Sequence, residues 1–324
     1  MPHVTFIHGI ANKPPAKELE EIWLRALADA VEPLSLSEAG VTSTMVYWAD
    51  LLYEDSIQDV SSYESGLENT AAAVDGAGDV PPIVPKNREE AAFVAGLRAK
   101  LTPRGDAEID AAIAAETAVP ARAGTAPASA NPAAPALERI PLPWALKRRF
   151  MDAFLRDVHH YLFDVSYAPP GKGQPVRIQQ TIRKRFVDAV CSQDVSGPHI
   201  VVSHSMGTVI AYDCLKRVDA SKAVDGLITI GSPLGLDEVQ DKLQPGWSRM
   251  DGFPDRGAAK WINLYDHLDP VCGFDPKLAN DYLGKGLPRV EDVEVTNNGW
   301  WRHSATKYLR QPKFCRALRQ FLQV

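Results

Sequence analysis

Residues 198–216, PHIVVSHSMGTVIAYDCLK, constrain the fold more than any other part of the chain. The run 199–202 is mostly apolar and β-branched, which predicts a buried strand. The run 208–215 is rich in apolar residues and long enough for a buried helix. Residues 203–207 join the two, so the chain must turn sharply around Ser205. A buried strand followed at once by a buried helix is typical of a parallel sheet with helical crossovers.

Small residues flank this turn. Ser203 lies two positions before Ser205, and Gly207 lies two positions after it. The spacing matches the pattern G-x-S-x-G with serine at the first glycine, and the pattern needs small residues because strand and helix approach closely there. The helix that follows directs its first N–H groups at the turn and favours negative charge beside Ser205. A serine in an ordinary strand-to-helix loop is the alternative, since so short a pattern also arises by chance.

Apolar runs of strand length alternate with amphipathic runs of helix length through most of the chain. The predicted strands are 4–7, 41–48, 199–202, 225–230, 261–265 and 290–295, and the predicted helices are 14–31, 176–190, 208–215 and 312–324. This alternation predicts an α/β fold with a doubly wound, mostly parallel sheet and right-handed crossovers. We expect a single domain over residues 1–324.

Residues 51–176 interrupt the alternation and are predicted to be an insertion. Within them, residues 106–137 are of low complexity and rich in Ala and Pro, so we expect this part to be mobile. Residues 140–167 return to an amphipathic helical pattern, with Phe150 and Phe154 on the apolar stripe. Such a helix either packs on the flank of the sheet or covers a pocket.

Side chains that could activate Ser205 follow it in the sequence. A serine hydroxyl is a poor nucleophile by itself, so it needs a base, and the base needs an orienting carboxylate. The histidines after Ser205 are His267 and His303, and a loop between Ser205 and His303 carries Asp266 and Asp269. Either aspartate could instead cap a turn.

Several of these features resemble the α/β-hydrolase superfamily, in particular its serine esterases and lipases with an H-S-L-G-type elbow. They are the elbow around Ser205, a His8–Gly9 turn after the first strand, and the chain order Ser, Asp, His. The resemblance covers residues 1–50 and 177–324. It implies an α/β-hydrolase fold in which the insertion forms a helical cap over the active site.

The resemblance also implies roles for individual side chains. Ser205 would be the nucleophile, and His303, between the last strand and the closing helix, would be its base. Asp269, which precedes a proline, would be the acid that orients the base, with Asp266 as the alternative acid.

Backbone N–H groups would hold the negative charge that develops on the substrate. The resemblance places these donors at Met206 and Ile10, or at Ala11 in place of Ile10 if the turn is longer. The candidates for the substrate pocket are His8, Gly9, His204, Pro233 and Leu234.

The resulting prediction is a serine hydrolase that cleaves carboxylic esters through an acyl-enzyme. The apolar insertion favours a lipid or medium-chain ester, and the substrate is expected to be a small molecule or a lipid. The alternatives are an amidase or peptidase with the same three side chains, and a non-catalytic binding protein on the same fold. No cofactor is required. Neighbouring His159 and His160 point about 100° apart on a helix, so we expect no metal site there with Asp157 or Asp164.

Composition narrows the class of partner and the compartment. The net charge of −6 over 324 residues gives no basic footprint for nucleic acid. No apolar run approaches the roughly 20 residues of a spanning helix, so we expect no transmembrane segment, although the apolar insertion allows peripheral lipid contact. The N-terminus lacks the pattern of a signal peptide, and the four cysteines are scattered. Reduced thiols and a cytoplasmic location are therefore expected, while the oligomeric state stays open.

Overall fold

The computed structural model describes residues 1–61, 63, 83–101, 144–192, 196–273, 275–299 and 301–324. The predicted low-complexity segment 106–137 lies outside the described residues, as does a large part of the predicted insertion.

Six parallel strands form the central sheet. They are β1 (His3–Ile7), β2 (Thr42–Val46), β5 (His199–His204), β6 (Val224–Ile230), β7 (Ala258–Tyr265) and β8 (Val290–Glu294). Two short strands between β2 and β5, β3 (Ser166–Tyr167) and β4 (Val176–Arg177), form a separate antiparallel pair. The order in the sheet is β2-β1-β5-β6-β7-β8, and every neighbouring pair is parallel. The predicted α/β class with a mostly parallel, doubly wound sheet is confirmed.

Helices cover both faces of this sheet. They are α1 (Ala16–Ala28), α2 (Arg88–Leu101), α3 (Trp144–Leu162), α4 (Ile178–Cys191), α5 (Met206–Arg217), α6 (Asp237–Leu243), α7 (Ala305–Leu309) and α8 (Pro312–Leu322). One apolar cluster joins the sheet to α1, α7 and α8, and a second joins it to α2 through α6. Because both faces are covered, β5 is buried along its whole length, which explains why residues 200–202 at its centre are apolar and β-branched.

The insertion contributes α3 to the core. Phe154, Leu155, Val158 and Tyr161 are fully buried in the cluster that also holds residues of α4 and α5. Nearer its start, the ring of Phe150 lies 6.0 Å from the ring of His303. The helix therefore packs beside the sheet with its second half and reaches the carboxyl end of the strands with its first half, while its role as a cap stays a prediction.

Some boundaries differ from those predicted. Helix α1 ends at Ala28, and Val31, which the periodicity placed on its apolar face, is 84% exposed. Between the predicted strands 225–230 and 261–265, the structure adds α6, whose first turn carries Asp237 and Glu238. Acidic residues there interact favourably with the amino end of a helix.

Two further predictions concern the whole chain. The four cysteines are free thiols, as predicted, and three of them are buried. Among the helices that the structure describes, none is long and apolar enough to cross a lipid bilayer.

Candidate active site

Ser205 lies at the sharp turn between β5 and α5, at the carboxyl end of the sheet. Its backbone has φ 55° and ψ −129°, a strained conformation for a residue with a side chain. The turn also needs glycine at position 207, because a Cβ there would lie 2.6 Å from the carbonyl oxygen of His8. The predicted strand–turn–helix geometry around Ser205 is therefore present, with β1 and α5 in close contact.

The three side chains assigned from the resemblance lie in hydrogen-bond contact. The Oγ of Ser205 is 2.8 Å from Nε2 of His303. On the other side of the ring, Nδ1 of His303 is 2.9 Å and 2.8 Å from the two carboxylate oxygens of Asp269. All three side chains are buried. They come from three separate loops that follow β5, β7 and β8, and only the parallel sheet brings them together.

The carboxylate of Asp269 is held ionised by its partners. Burial by itself raises the pKa of a carboxyl, but the His303 ring and hydrogen bonds from it, from the Val271 N–H and from the Tyr308 hydroxyl outweigh that effect and lower the pKa of Asp269. An ionised Asp269 accepts the Nδ1–H of His303, which leaves Nε2 of the ring free to accept the proton of Ser205.

The alternative acid and the alternative base lie elsewhere. Asp266 is also buried, but it accepts the backbone N–H groups of Leu268 and Asn297 and forms an ion pair with Arg302. Its carboxylate thus ties loops together. His267 is half exposed and faces Glu294 at 3.7 Å.

His204 supports the loop that carries His303. Its Nε2 lies 2.9 Å from the carbonyl oxygen of His303, and the two rings are 4.7 Å apart. Burial, then the nearby His303, lowers the pKa of His204 well below its usual value. A neutral ring can donate Nε2–H to this carbonyl, so His204 fixes the backbone of the candidate base.

The Gly9–Ile10 peptide has its orientation fixed by His8. The Nε2 of His8 accepts the Trp48 backbone N–H at 3.0 Å, so the ring proton is on Nδ1, which donates to the Gly9 carbonyl at 2.8 Å. A trans peptide points its N–H opposite to its carbonyl, so the Ile10 N–H points away from His8. Gly9 itself lies against Ser205, since a Cβ on Gly9 would be 2.6 Å from the Ser205 Cβ.

Both candidate oxyanion donors lie near Ser205, since Met206 follows it in the chain and Ile10 lines the same cavity. Met206 is the first residue of α5, where the N–H has no acceptor within the helix. The N–H of Ala11, which was the alternative to Ile10, instead donates to the Asp157 carboxylate at 3.0 Å. Of the two alternatives, only the Ile10 N–H is left for the pocket.

A small cavity of about 40 Å³ opens beside Ser205 and His303. Trp23, Tyr63, Phe150 and Trp301 contribute aromatic rings to its wall, and His204 also lies on it. The other predicted pocket residues do not form this wall. They are His8 and Gly9, which shape the loop behind the cavity, and Pro233 and Leu234, which are buried in a short turn after β6.

The polar residues of α3 do not assemble into a metal site. Asp157 contacts Arg156 and Tyr53, His159 faces Glu90, and the ring of His160 packs on Tyr167. Among the described residues, no group of three or more His, Cys, Asp and Glu side chains is placed to hold a metal ion.

No protein-family model matches the chain, and no curated protein matches it. The geometry of the site is therefore what indicates the function.

Three residues with clear contacts at the site were not predicted from the sequence. Lys13 lies on the pocket wall, Asp157 binds the Ala11 N–H, and Tyr308 binds Asp269. Asp157 lies on a predicted helix, where a single polar residue is typically exposed, and Tyr308 lies between the last predicted strand and the last predicted helix. Lys13 lies four residues after Gly9, and this closeness to the His8–Gly9 turn was the one available signal.

Proposed function

We propose that the protein is a serine hydrolase that cleaves carboxylic esters through an acyl-enzyme. The observation that supports it most is the 2.8 Å contact between Ser205 Oγ and His303 Nε2, in a ring whose other nitrogen contacts Asp269. A nucleophile, a base and an orienting acid in this order are what acyl transfer to serine requires. Two backbone N–H groups beside the serine add the site for the oxyanion.

In the first half-reaction, Ser205 Oγ attacks the ester carbonyl carbon and its proton moves to His303 Nε2. The carbonyl electrons move to the oxygen, which the Ile10 and Met206 N–H groups stabilise. When the carbonyl re-forms, the bond to the alcohol oxygen breaks, and His303 gives its proton to that oxygen. The alcohol leaves, and the acyl group remains bonded to Ser205.

In the second half-reaction, water takes the place of the alcohol. His303 accepts a proton from water as the water oxygen attacks the acyl carbon. The oxyanion forms again at the same N–H groups, and its collapse breaks the bond to Ser205 Oγ, which recovers a proton from His303. Asp269 stabilises the charged imidazole in both halves. Each step uses a protein group or water.

The geometry argues against the non-catalytic alternative. A binding protein on this fold has no reason to keep a strained backbone at Ser205, and strain of this kind is concentrated at functional sites. The rings of Phe150 and Trp301 on the cavity wall suit an apolar acyl group.

A fluorophosphonate probe tests the proposal, because it reacts only with an activated serine. We expect the wild-type protein to be labelled and Ser205→Ala to be unlabelled, with the label located on the peptide that contains residue 205. Ser203→Ala, which replaces a serine of β5 two residues before Ser205, is the matched control and should be labelled like the wild type. Equal labelling of wild type and Ser205→Ala would exclude Ser205 as the nucleophile. Matched ester and anilide substrates then distinguish an esterase from an amidase.

A further inference from the structure

We propose that Lys13 and Asp157 are positioning residues that hold the loop 9–12 in the one shape that presents the Ile10 N–H to the oxyanion. The inference rests on the proposed function, because it assigns these two residues to the same site. Neither side chain is placed to react with a substrate carbonyl, since each is engaged with the backbone of the loop.

Lys13 binds three backbone carbonyl groups of the loop. Its Nζ donates hydrogen bonds to the carbonyl oxygens of Ile10, Ala11 and Asn12, the last two at 3.1 Å and 3.3 Å. In its protonated form the Lys13 amine has three N–H donors, so three carbonyls satisfy it completely. Three successive carbonyls cannot converge on one point in a regular strand or helix, so the loop must have an irregular backbone.

Ala11 shows this irregularity. Its φ of 68° lies in the left-handed region, which is unfavourable for a residue with a Cβ. The contacts of Lys13 on one side and Asp157 on the other offset that penalty. Without them, Ala11 is free to return to the more favourable region, and the peptides on either side of it rotate.

Asp157 fixes the other side of the loop. One carboxylate oxygen accepts the Ala11 N–H at 3.0 Å and the Tyr53 hydroxyl at 3.1 Å. The other oxygen accepts two hydrogen bonds from Arg156, at 2.9 Å and 2.7 Å, and the Arg156 guanidinium lies over the Tyr53 ring at 4.3 Å. Asp157 is fully buried, so its orientation is set by these partners.

The arrangement matters for an oxyanion because it turns the carbonyl oxygens of the loop away from the pocket and leaves an N–H donor for it. The carbonyls of residues 10–12 face Lys13, and the Ala11 N–H faces Asp157, which leaves the Ile10 N–H for the pocket. A carbonyl turned towards the oxyanion would repel it instead of stabilising it. Because Asp157 belongs to α3, the inserted part of the chain takes part in forming the site.

Two substitutions test the proposal by kinetics on an ester substrate. Lys13→Met keeps the length of the side chain without its donors, and Asp157→Asn keeps an acceptor oxygen without the charge. We expect Lys13→Met to lower kcat by roughly 10- to 100-fold, below the 10²–10³ that follows loss of a whole oxyanion donor. KM should change by less than about threefold, because the loop acts in the transition state. Asp157→Asn should have the smaller effect on kcat.

Matched controls lie nearby on the surface. Lys17, whose side chain is 86% exposed, and Asp152, one turn and a half before Asp157 on α3, are replaced as Lys17→Met and Asp152→Asn. Both controls should keep wild-type kcat and KM. If Lys13→Met does not fold, Lys13→Gln, which retains two N–H donors, should show an intermediate loss of kcat. Folded variants at positions 13 and 157 with wild-type kcat would overturn the proposal.

Amide hydrogen exchange tests the loop without any activity, in the Ser205→Ala background. Lys13→Met should increase deuterium uptake in a peptide covering residues 8–13 and leave that of 199–204 unchanged. Unchanged uptake at 8–13 would also overturn the proposal. If uptake rises but the wild-type protein is not labelled by the fluorophosphonate, the loop contacts are real and the hydrolase function is wrong. The two failures are therefore distinguishable.

Discussion

Both carboxylate oxygens of Asp269 lie within 2.9 Å of the Nδ1 of His303. The contact crosses from the loop after β7 to the loop after β8, and it leaves the nearby Asp266 bonded to the backbone and to Arg302. One of two neighbouring aspartates thus orients the candidate base, while the other joins two loops. The family resemblance favoured Asp269 and kept Asp266 as the alternative.

The two aspartates should therefore respond differently to substitution. Asp269→Asn removes the charge that orients His303, and we expect kcat/KM to fall by a factor on the order of 10³–10⁴. Asp266→Asn should retain kcat/KM within about tenfold and mainly lower the free energy of unfolding. Ester hydrolysis and urea unfolding of both variants provide the measurement. A larger loss of kcat/KM for Asp266→Asn would reverse the assignment.

The small volume of the cavity beside Ser205 predicts a short acyl group. The cavity of about 40 Å³ has room for only a few water-sized groups, and Phe150 packs at 4.9 Å from the Trp301 ring. We expect wild-type kcat/KM to be higher for acetate than for hexanoate esters, which differs from the medium-chain or lipid substrate that the apolar insertion favours. Phe150→Leu should raise the hexanoate-to-acetate ratio about tenfold.

The control for this prediction is Phe186→Leu, which alters a buried phenylalanine of α4 outside the cavity wall. It should lower stability and leave the ratio unchanged. A wild-type preference for the hexanoate ester would contradict the size limit. An equal change of the hexanoate-to-acetate ratio in Phe150→Leu and Phe186→Leu would show that Phe150 does not set this limit.

Gly207 should not tolerate a side chain. An added Cβ would lie 2.6 Å and 2.7 Å from the carbonyl oxygens of His8 and Ile7, which are backbone atoms of β1 and its turn and cannot move independently. We expect Gly207→Ala to lower the free energy of unfolding by about 2–3 kcal/mol and to slow fluorophosphonate labelling. Gly173→Ala, where the added Cβ meets open space, is the control and should stay within about 0.5 kcal/mol of wild type. Equal stability of the two variants would contradict the close approach of β1 and α5.

Burial of His3 should make the protein less stable in mild acid. Burial, then the charge of neighbouring His199, lowers the pKa of His3 from 6.5 to about 4. Between these values the unfolded chain binds a proton that the folded protein does not, so the free energy of unfolding falls as the pH falls below 6.5. The share of His3 is about 2 kcal/mol between pH 7 and pH 5. Urea unfolding at pH 7 and pH 5 should show that His3→Gln loses about 2 kcal/mol less unfolding free energy between these pH values than the wild type does. The same drop in wild type and variant would refute the prediction.

The sequence alone determined the frame of the molecule. The apolar run of β5, the small residues around Ser205 and the apolar run of α5 specify a strand, a turn and a helix by local pattern. The same reasoning predicted the parallel sheet, because apolar runs of strand length alternate with amphipathic runs of helix length along the chain. Local pattern also placed His303 in the loop after the last strand.

Tertiary structure decided which groups meet. Asp266 and Asp269 are three residues apart and both follow a strand, so only the path of the loop shows which carboxylate reaches His303. In the same way, Ala11 is removed from the choice of oxyanion donors by Asp157, a residue 146 positions away. Contacts between distant segments leave no periodic trace in the sequence, because each depends on how loops at the same sheet edge are packed. The core fold follows from local patterns, and the chemistry of the site follows from the packing of its loops.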